Sequence, residues 1–408
     1  MIVFSTLSYF NRTLMSVAAP TLMRQFGLSE TQMGTVFSAF LLSYALLMIP
    51  GGRLADRFGP RATLTLAGLG AGIAIAMTAF CGNPGLGGWI GVQAELVLVR
   101  FALGVATAPL YPACARMNAN WIPFGTRARV QGFISAGAGL GGAGSPFIFL
   151  VIANAFGWRT EFLIAGLLTA AVAIIWRLTV FDYPPGSVVK QKPSGPSKVW
   201  KELFGNRGLL LLAGGYFAVC YFEYIFFYWA YYYFGTVRHM TSRETTLYTT
   251  ILFLAWTVMT PFGGWISDGM VSRLGPVWGR RTVPMVSLLT SGAALVIGIN
   301  LPGTAATGTA LALALGFAAA SDGPFWAAAI DLGGKDAGAA SGLLNSIGNL
   351  GGALSPVITA MIAAQTGWKM ALYSASLLAI ASVALWLFVG EARQEQIVPT
   401  GQFSAGHE

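Results

Sequence analysis

A chain of 408 residues that is 55% hydrophobic and only 10% charged cannot cover a water-facing surface, since soluble domains carry roughly 25% charged residues. The net charge of +9 would suit a nucleic-acid binder, but the basic residues stand in alternate loops beside apolar runs, as in a membrane protein with its positive loops on one side. What remains is an integral α-helical membrane protein, and the mean hydropathy of +0.66 agrees with it.

In chain order, apolar runs of membrane-spanning length predict twelve spans at about 2–23, 33–52, 62–81, 93–115, 131–153, 159–180, 208–235, 247–267, 283–301, 306–331, 338–364 and 370–390. Met1 leads straight into the first span without the usual short polar lead, which points to a truncated or misassigned start. A polar stretch from Asp182 to Arg207, with Pro184, Pro185, Pro193, Pro196 and four lysines, divides the spans six and six. The predicted fold is all-α: a polytopic membrane protein with twelve transmembrane helices in two pseudo-symmetric six-helix halves. Its expected parts are a first half over 1–181, a cytoplasmic linker over 182–207, a second half over 208–390 and a polar cytoplasmic tail over 391–408.

Charge sets the orientation. With the N-terminus inside, the outer loops hold only Arg24, Arg159, Arg238, Arg243 and Lys369, three arginines (Arg12, Arg100, Arg177) fall inside spans, and the other sixteen of the 24 Lys and Arg face the cytoplasm. Both termini are then cytoplasmic, in the cell membrane. Cys81, Cys114 and Cys220 lie in or near apolar spans without metal or disulfide spacing and read as small apolar fillers. His239 and His407 are the only histidines. With no nucleophile–base pair, metal cluster or nucleotide motif, the expectation is a protein that is not an enzyme and needs no cofactor.

One charged turn, Gly51-Gly52-Arg53-Leu54-Ala55-Asp56-Arg57-Phe58-Gly59-Pro60-Arg61, links spans 2 and 3. A degenerate copy follows span 8: Gly263-Gly264-Trp265-Ile266-Ser267-Asp268, then Arg273, Arg280 and Arg281. Each copy sets a Gly-Gly pair four residues before an aspartate, so two related halves are implied. The pattern from Gly52 to Arg61 resembles the loop between helices 2 and 3 of major facilitator superfamily transporters.

Within that superfamily, Ser8-Tyr9-Phe10-Asn11-Arg12 with Ser16-Val17-Ala18-Ala19-Pro20 resembles the anion:cation symporter branch, which carries hexonates, hexuronates and other organic anions. There the stretch reads Asn-Tyr-x-Asp-Arg, then a similar Ala-Ala-Pro. Phe37-Ser38-Ala39-Phe40, Tyr44-Ala45-Leu46, Arg100 to Gly104, Trp121-Ile122-Pro123 with Arg127-Ala128-Arg129, and Asn345 with Asn349-Leu350 extend the likeness along nearly the whole chain.

The resemblance implies that Arg12 binds the substrate carboxylate, with Tyr9 and Tyr44 beside it. Independently, a charge at bilayer depth needs a partner or a watery cavity, and arginine grips carboxylates through paired hydrogen bonds; a structural ion pair is the alternative. Tyr9, Arg12 and Ser16 share one helix face by spacing. Arg100 resembles a coupling or structural arginine of the family more than a ligand. Trp326 and Asn345, with Thr107, complete the expected substrate contacts, helix packing being the competing role for Asn345.

Proton-coupled members carry an aspartate before the span-1 arginine and a glutamate in span 4; Asn11 and Thr107 stand there instead. Two other acids inside spans, Glu223 and Asp322, are the proton-coupling candidates, since a carboxyl group taken from water can hold a proton near neutrality. A place at the membrane boundary, or a pairing with an arginine, is the equal alternative for Glu223. Asp56, Arg57, Arg61 and Asp268 are expected to gate the inner side through helix-end and loop contacts, against plain solvated charges. The glycine run 137–142 is read as a close helix contact.

The expected activity is transport of a small organic anion (sugar acid, dicarboxylate or aromatic acid) by alternating access with proton symport, in a monomer whose partners are anion, lipid bilayer and protons, not nucleic acid. An uncoupled facilitator and a non-transporting sensor on the same fold are the alternatives.

Overall fold

The computed structural model describes residues 1–83, 90–121, 127–184, 203–333 and 337–389. The described residues fold into helices and connecting turns. In the first half these are α1 (Ile2–Phe26), α2 (Glu30–Phe58), α3 (Pro60–Thr78), α4 (Val92–Thr107), α5 (Leu110–Trp121), α6 (Arg127–Phe156) and α7 (Trp158–Thr179). In the second they are α8 (Arg207–Tyr232), α9 (Ser242–Asn300), α10 (Thr304–Ala319), α11 (Asp322–Gly333), α12 (Ala337–Thr366) and α13 (Trp368–Phe388). Eleven stretches among the described residues are long and apolar enough to cross a membrane. The helix α1, 25 residues long with Arg12 at its centre, completes the twelve.

Local chemistry sets the helix ends. Gly27 in the left-handed conformation closes α1, and Ser29 with Gln32 forms a reciprocal capping box that opens α2. Thr241 and Glu244 do the same for α9.

The sequence predicts a loop between spans 8 and 9, and the structure shortens it to a sharp turn inside α9. At Gly275, with φ of 79° and ψ of 171°, the helical path breaks and α9 divides into two arms, a conformation that glycine adopts without the Cβ clash other residues meet. Across the turn a Cβ on Gly279 would come within 2.3 Å of the Val271 Cα. Gly59, φ 83°, turns the chain between α2 and α3 at the matching place of the first half. Asp268 and Arg280, 2.5 Å apart, bracket the turn, so the charges that read as a loop pair across it, from one arm to the other.

The repeat extends to packing. A Cβ on Gly51 would come within 2.8 Å of the Pro109 Cα, at the break between α4 and α5; one on Gly263 would come within 2.0 Å of the Ala320 carbonyl oxygen, at the break between α10 and α11. Each Gly-Gly pair thus seats the chain against the interruption of a neighbouring span. The glycine run in α6 serves close approach as expected: a Cβ on Gly141 would meet the Thr6 carbonyl at 2.0 Å, and one on Gly139 the Thr257 hydroxyl at 1.8 Å.

The halves meet where α2 packs on α12, α6 on α9 and α1 on α8. At one end the seam is sealed. The Glu30 carboxylate accepts hydrogen bonds from the Tyr232 hydroxyl (2.7 Å) and the Trp368 indole (3.0 Å), above a packed cluster of Trp229, Tyr232, Tyr233 and Trp368. Phe37 lies against Tyr228 and Trp229, with ring centroids 4.8 and 5.3 Å away. At the arginine-rich end α5 packs on helices of its own half and α11 on helices of its own.

Candidate functional site

Midway along the seam, the face of α1 that carries Tyr9, Arg12 and Ser16 meets α8. Tyr9 packs edge-on against Phe227, Arg12 Nη1 donates to the Tyr224 hydroxyl at 2.9 Å, and the Ser16 hydroxyl donates to the Tyr228 carbonyl at 2.7 Å. Helical spacing brings three polar side chains to one line, and α8 answers them in register.

Arg12 is 2% exposed. Its guanidinium carbon lies 4.5 Å from the Tyr9 ring, 4.9 Å from Phe40, 5.2 Å from Tyr44 and 5.8 Å from Tyr224. An aromatic cage of this kind offsets desolvation in part, at about 0.5–2 kcal/mol per cation–π contact. The structural ion pair considered as the alternative is not there: among the described residues no carboxylate lies within 4 Å of Arg12, and its Nε has no partner. A buried guanidinium with rings around it and donors to spare is suited to an anion.

From Arg12 a chain of hydrogen bonds crosses to the second half. The Tyr224 hydroxyl donates to Asn349 Oδ1 at 3.1 Å; Asn349 Nδ2 donates to Asn345 Oδ1 at 3.0 Å; Asn345 Nδ2 reaches the Met48 sulfur on α2 at 3.5 Å. Tyr9, Tyr44, Arg12 and Asn345 are therefore brought together. Thr107 is not: its hydroxyl bonds back to the Leu103 carbonyl at 2.8 Å. With Asn11, Ser8 and Thr169 it lines a separate cavity of about 10 Å³ within the first half, roughly the room of one water. Asn11 Nδ2 is tied to Thr169 there at 3.0 Å.

Trp326 also stands apart from the arginine. Its indole donates to the Tyr216 hydroxyl at 3.2 Å, beside Asp322. Glu223 and Asp322, both buried, lie within electrostatic reach of each other and of Tyr9. Neither the boundary position nor the arginine pairing considered for Glu223 is found: among the described residues it has no cationic partner, and Glu223 Oε1 and Asp322 Oδ1 are unbonded.

The expected gate residues hold their own halves. The Arg61 amide donates to Asp182 at 2.7 Å and its guanidinium to the Arg177 carbonyl; Arg57 stacks on Phe58. Asp268 pairs with Arg280, which also reaches Asp331 at 3.4 Å. The side chain of Asp56 lies outside the described residues.

Sequence reasoning missed Tyr224, Phe40, Met48 and Glu30 as parts of the seam. For Tyr224 a signal existed: it stands four residues before Tyr228 on the same face of α8, at a spacing that can follow Arg12 and Ser16.

A family model described as Major Facilitator Superfamily matches residues 1–277 of the chain. The chain belongs to this superfamily. It is similar to the probable sulfoacetate transporter SauU of Cupriavidus necator, 28% identical over 377 residues that cover 88% of this chain and 85% of that protein. It is likewise similar to the hexuronate transporter of Bacillus subtilis, at 27% identity over 94% of this chain and 92% of that one. Among solved structures, a bacterial homolog of the human lysosomal transporter Spinster, in an inward-facing and unoccupied conformation, shares the fold with a TM-score of 0.78, 19% identity and 95% coverage of both chains. As a major facilitator superfamily member with relatives that carry organic anions, this is a multi-pass membrane protein.

Proposed function

We propose that the protein is a secondary transporter that moves a small organic anion by alternating access, with Arg12 as the anchor of the cargo's acidic group. The observation that carries this reading is Arg12 itself: a charge buried at mid-seam costs about 2.5–3.5 kcal/mol even on the lenient insertion scales, yet no carboxylate among the described residues offsets it. Tyr9 and Tyr44 cage the anchor, and Asn345 reaches the same place from the second half. The relatives' substrates, sulfoacetate and hexuronate, are both organic anions. Placing the arginine-rich loops in the cytoplasm makes the Glu30 end extracytoplasmic, sealed here, while the opposite end is where the halves part.

In this reading the transport is proton symport, with the Glu223–Asp322 site as the proton carrier in place of the family's first-half acids. Trp326 and Tyr216 hold Asp322's surroundings, and Asp268, Arg57 and Arg61 steady the inner ends of the halves. A facilitator without coupling is the second reading, favoured by Asn11 and Thr107, neutral groups fixed by hydrogen bonds where titratable ones stand in coupled relatives.

Uptake into proteoliposomes from a panel of carboxylates, with and without an inward proton gradient, tests the assignment. The expected result is accumulation under the gradient, and an apparent affinity lowered about 100-fold by Arg12→Ala, the loss of one charge-assisted anion contact. Unchanged affinity in Arg12→Ala sinks the anchor; equilibration that ignores the gradient sinks symport and leaves the facilitator.

A further inference from the structure

We propose that the cargo is a dianion, a small molecule with two acidic groups, gripped jointly by Arg12 and Arg100. This rests on the anion-transport reading and deepens it. Arg100, on α4, is 1% exposed, and its guanidinium carbon lies 5.0 Å from the ring of Phe40, the ring that Arg12 approaches to 4.9 Å. The two charges therefore share one aromatic neighbour, and their separation is bounded by the sum of those distances.

Arg100 is poorly satisfied. Its hydrogen bonds among the described residues run to the main-chain carbonyls of Asn11 (3.4 Å) and Arg12 (3.5 Å), its Nε has no partner, and the Tyr228 hydroxyl stands close to its charge. Charge-assisted bonds of arginine are normally near 2.7–2.9 Å, so these are weak holds on a full charge. Arg12 keeps an unpartnered Nε as well. The two like charges repel in a medium that screens them little, and the residues beside each, Asn11 and Thr107, are neutral. The second half's acids do not make up the difference, because neither Glu223 nor Asp322 lies within 4 Å of an arginine among the described residues.

Charge counting then separates cargo classes. A monoanion on Arg12 leaves Arg100 buried and uncompensated. A molecule with a carboxylate at one end and a second carboxylate or a sulfonate at the other compensates both, and its two acidic groups meet guanidiniums that each lie about 5 Å from the same Phe40 ring.

Galactonate and galactarate have the same six-carbon hydroxylated chain and differ by one carboxylate; acetate and sulfoacetate differ by one sulfonate. Binding of these four to the purified full-length protein is read by fluorescence, since Trp256 stacks on Tyr9, with ring centroids 5.8 Å apart. The wild type is expected to hold galactarate or sulfoacetate at least about tenfold tighter than its monoanionic partner. Arg100→Gln should erase that ratio, weakening the dianion far more than the monoanion, and Arg100→Lys should restore part of it. Equal affinity within both pairs overturns the dianion while Arg12-dependent binding of galactonate still upholds the anion reading. Absence of binding by all four overturns both. The wild-type ratio decides the matter even where Arg100→Gln fails to fold.

Discussion

The two halves repeat each other in scaffold and oppose each other in charge. Gly51 against Pro109 and Gly263 against Ala320 are one packing solution used twice, as are the bends at Gly59 and Gly275. The buried charges do not follow the repeat. The first half brings Arg12 and Arg100 to the seam without a carboxylate in reach, and the second brings Glu223 and Asp322 without a cation. Duplication thus preserves what backbone contact demands, because a methyl group too many at a helix crossing is felt at once. Side chains lining a cavity are free to diverge, and on the proposed reading they divide the work: an anion-binding half and an acid-bearing half.

The largest effect expected from breaking this comparison lies in the scaffold. Gly263→Ala and Gly51→Ala push a methyl group into backbone or proline atoms and should each cost about 1–3 kcal/mol or more, read as a lost or lowered unfolding midpoint. Their neighbours make the control: a Cβ at Gly264 or Gly52 meets its nearest atom at 3.9 or 3.6 Å, so Gly264→Ala and Gly52→Ala should fold normally. If Gly263→Ala and Gly264→Ala behave alike, the packing repeat is not what holds the spans.

A second test addresses the acid-bearing half. Glu223→Gln and Asp322→Asn should each cut gradient-driven uptake about tenfold, while exchange of anion without a gradient persists, because a proton carrier acts as one unit when two carboxyl groups share a site. Gradient-driven uptake that survives both changes would return coupling to some other group.

The smallest effect concerns the sealed end. Glu30→Ala removes the acceptor shared by Tyr232 and Trp368, two bonds worth about 1 kcal/mol each. In a background with Cys81, Cys114 and Cys220 replaced and Ser16→Cys added, a thiol reagent supplied from that end should label a few-fold faster. An unchanged rate would mean the aromatic cluster alone keeps the end shut.

Much of the fold is legible in the chain, because lipid requires each span to be a helix with its backbone bonds satisfied internally; run length is then enough. The tightness of the α9 turn is not. Ser267 to Arg281 is polar enough to read as a long loop, and only the pairing of Asp268 with Arg280 across Gly275 shows why both arms stay helical up to the turn. In the site, helical spacing put Tyr9, Arg12 and Ser16 on one face. For Tyr224 it offered only the four-residue step to Tyr228, a weak signal on a helix as apolar and aromatic as α8. Nor could spacing join Asn345 to Met48, nearly 300 positions apart (|i−j| = 297). Contacts across the seam depend on how the halves dock, which no local period encodes.

The phenol of Tyr224 has one further consequence. It occupies the Arg12 Nη1 donor and hands its own proton to Asn349. On the proposed reading it is a placeholder, standing where a cargo oxygen would stand. An arriving anion must evict it, and eviction unties the first half from Asn349 in the second. Loading and loosening of the seam are then the same event.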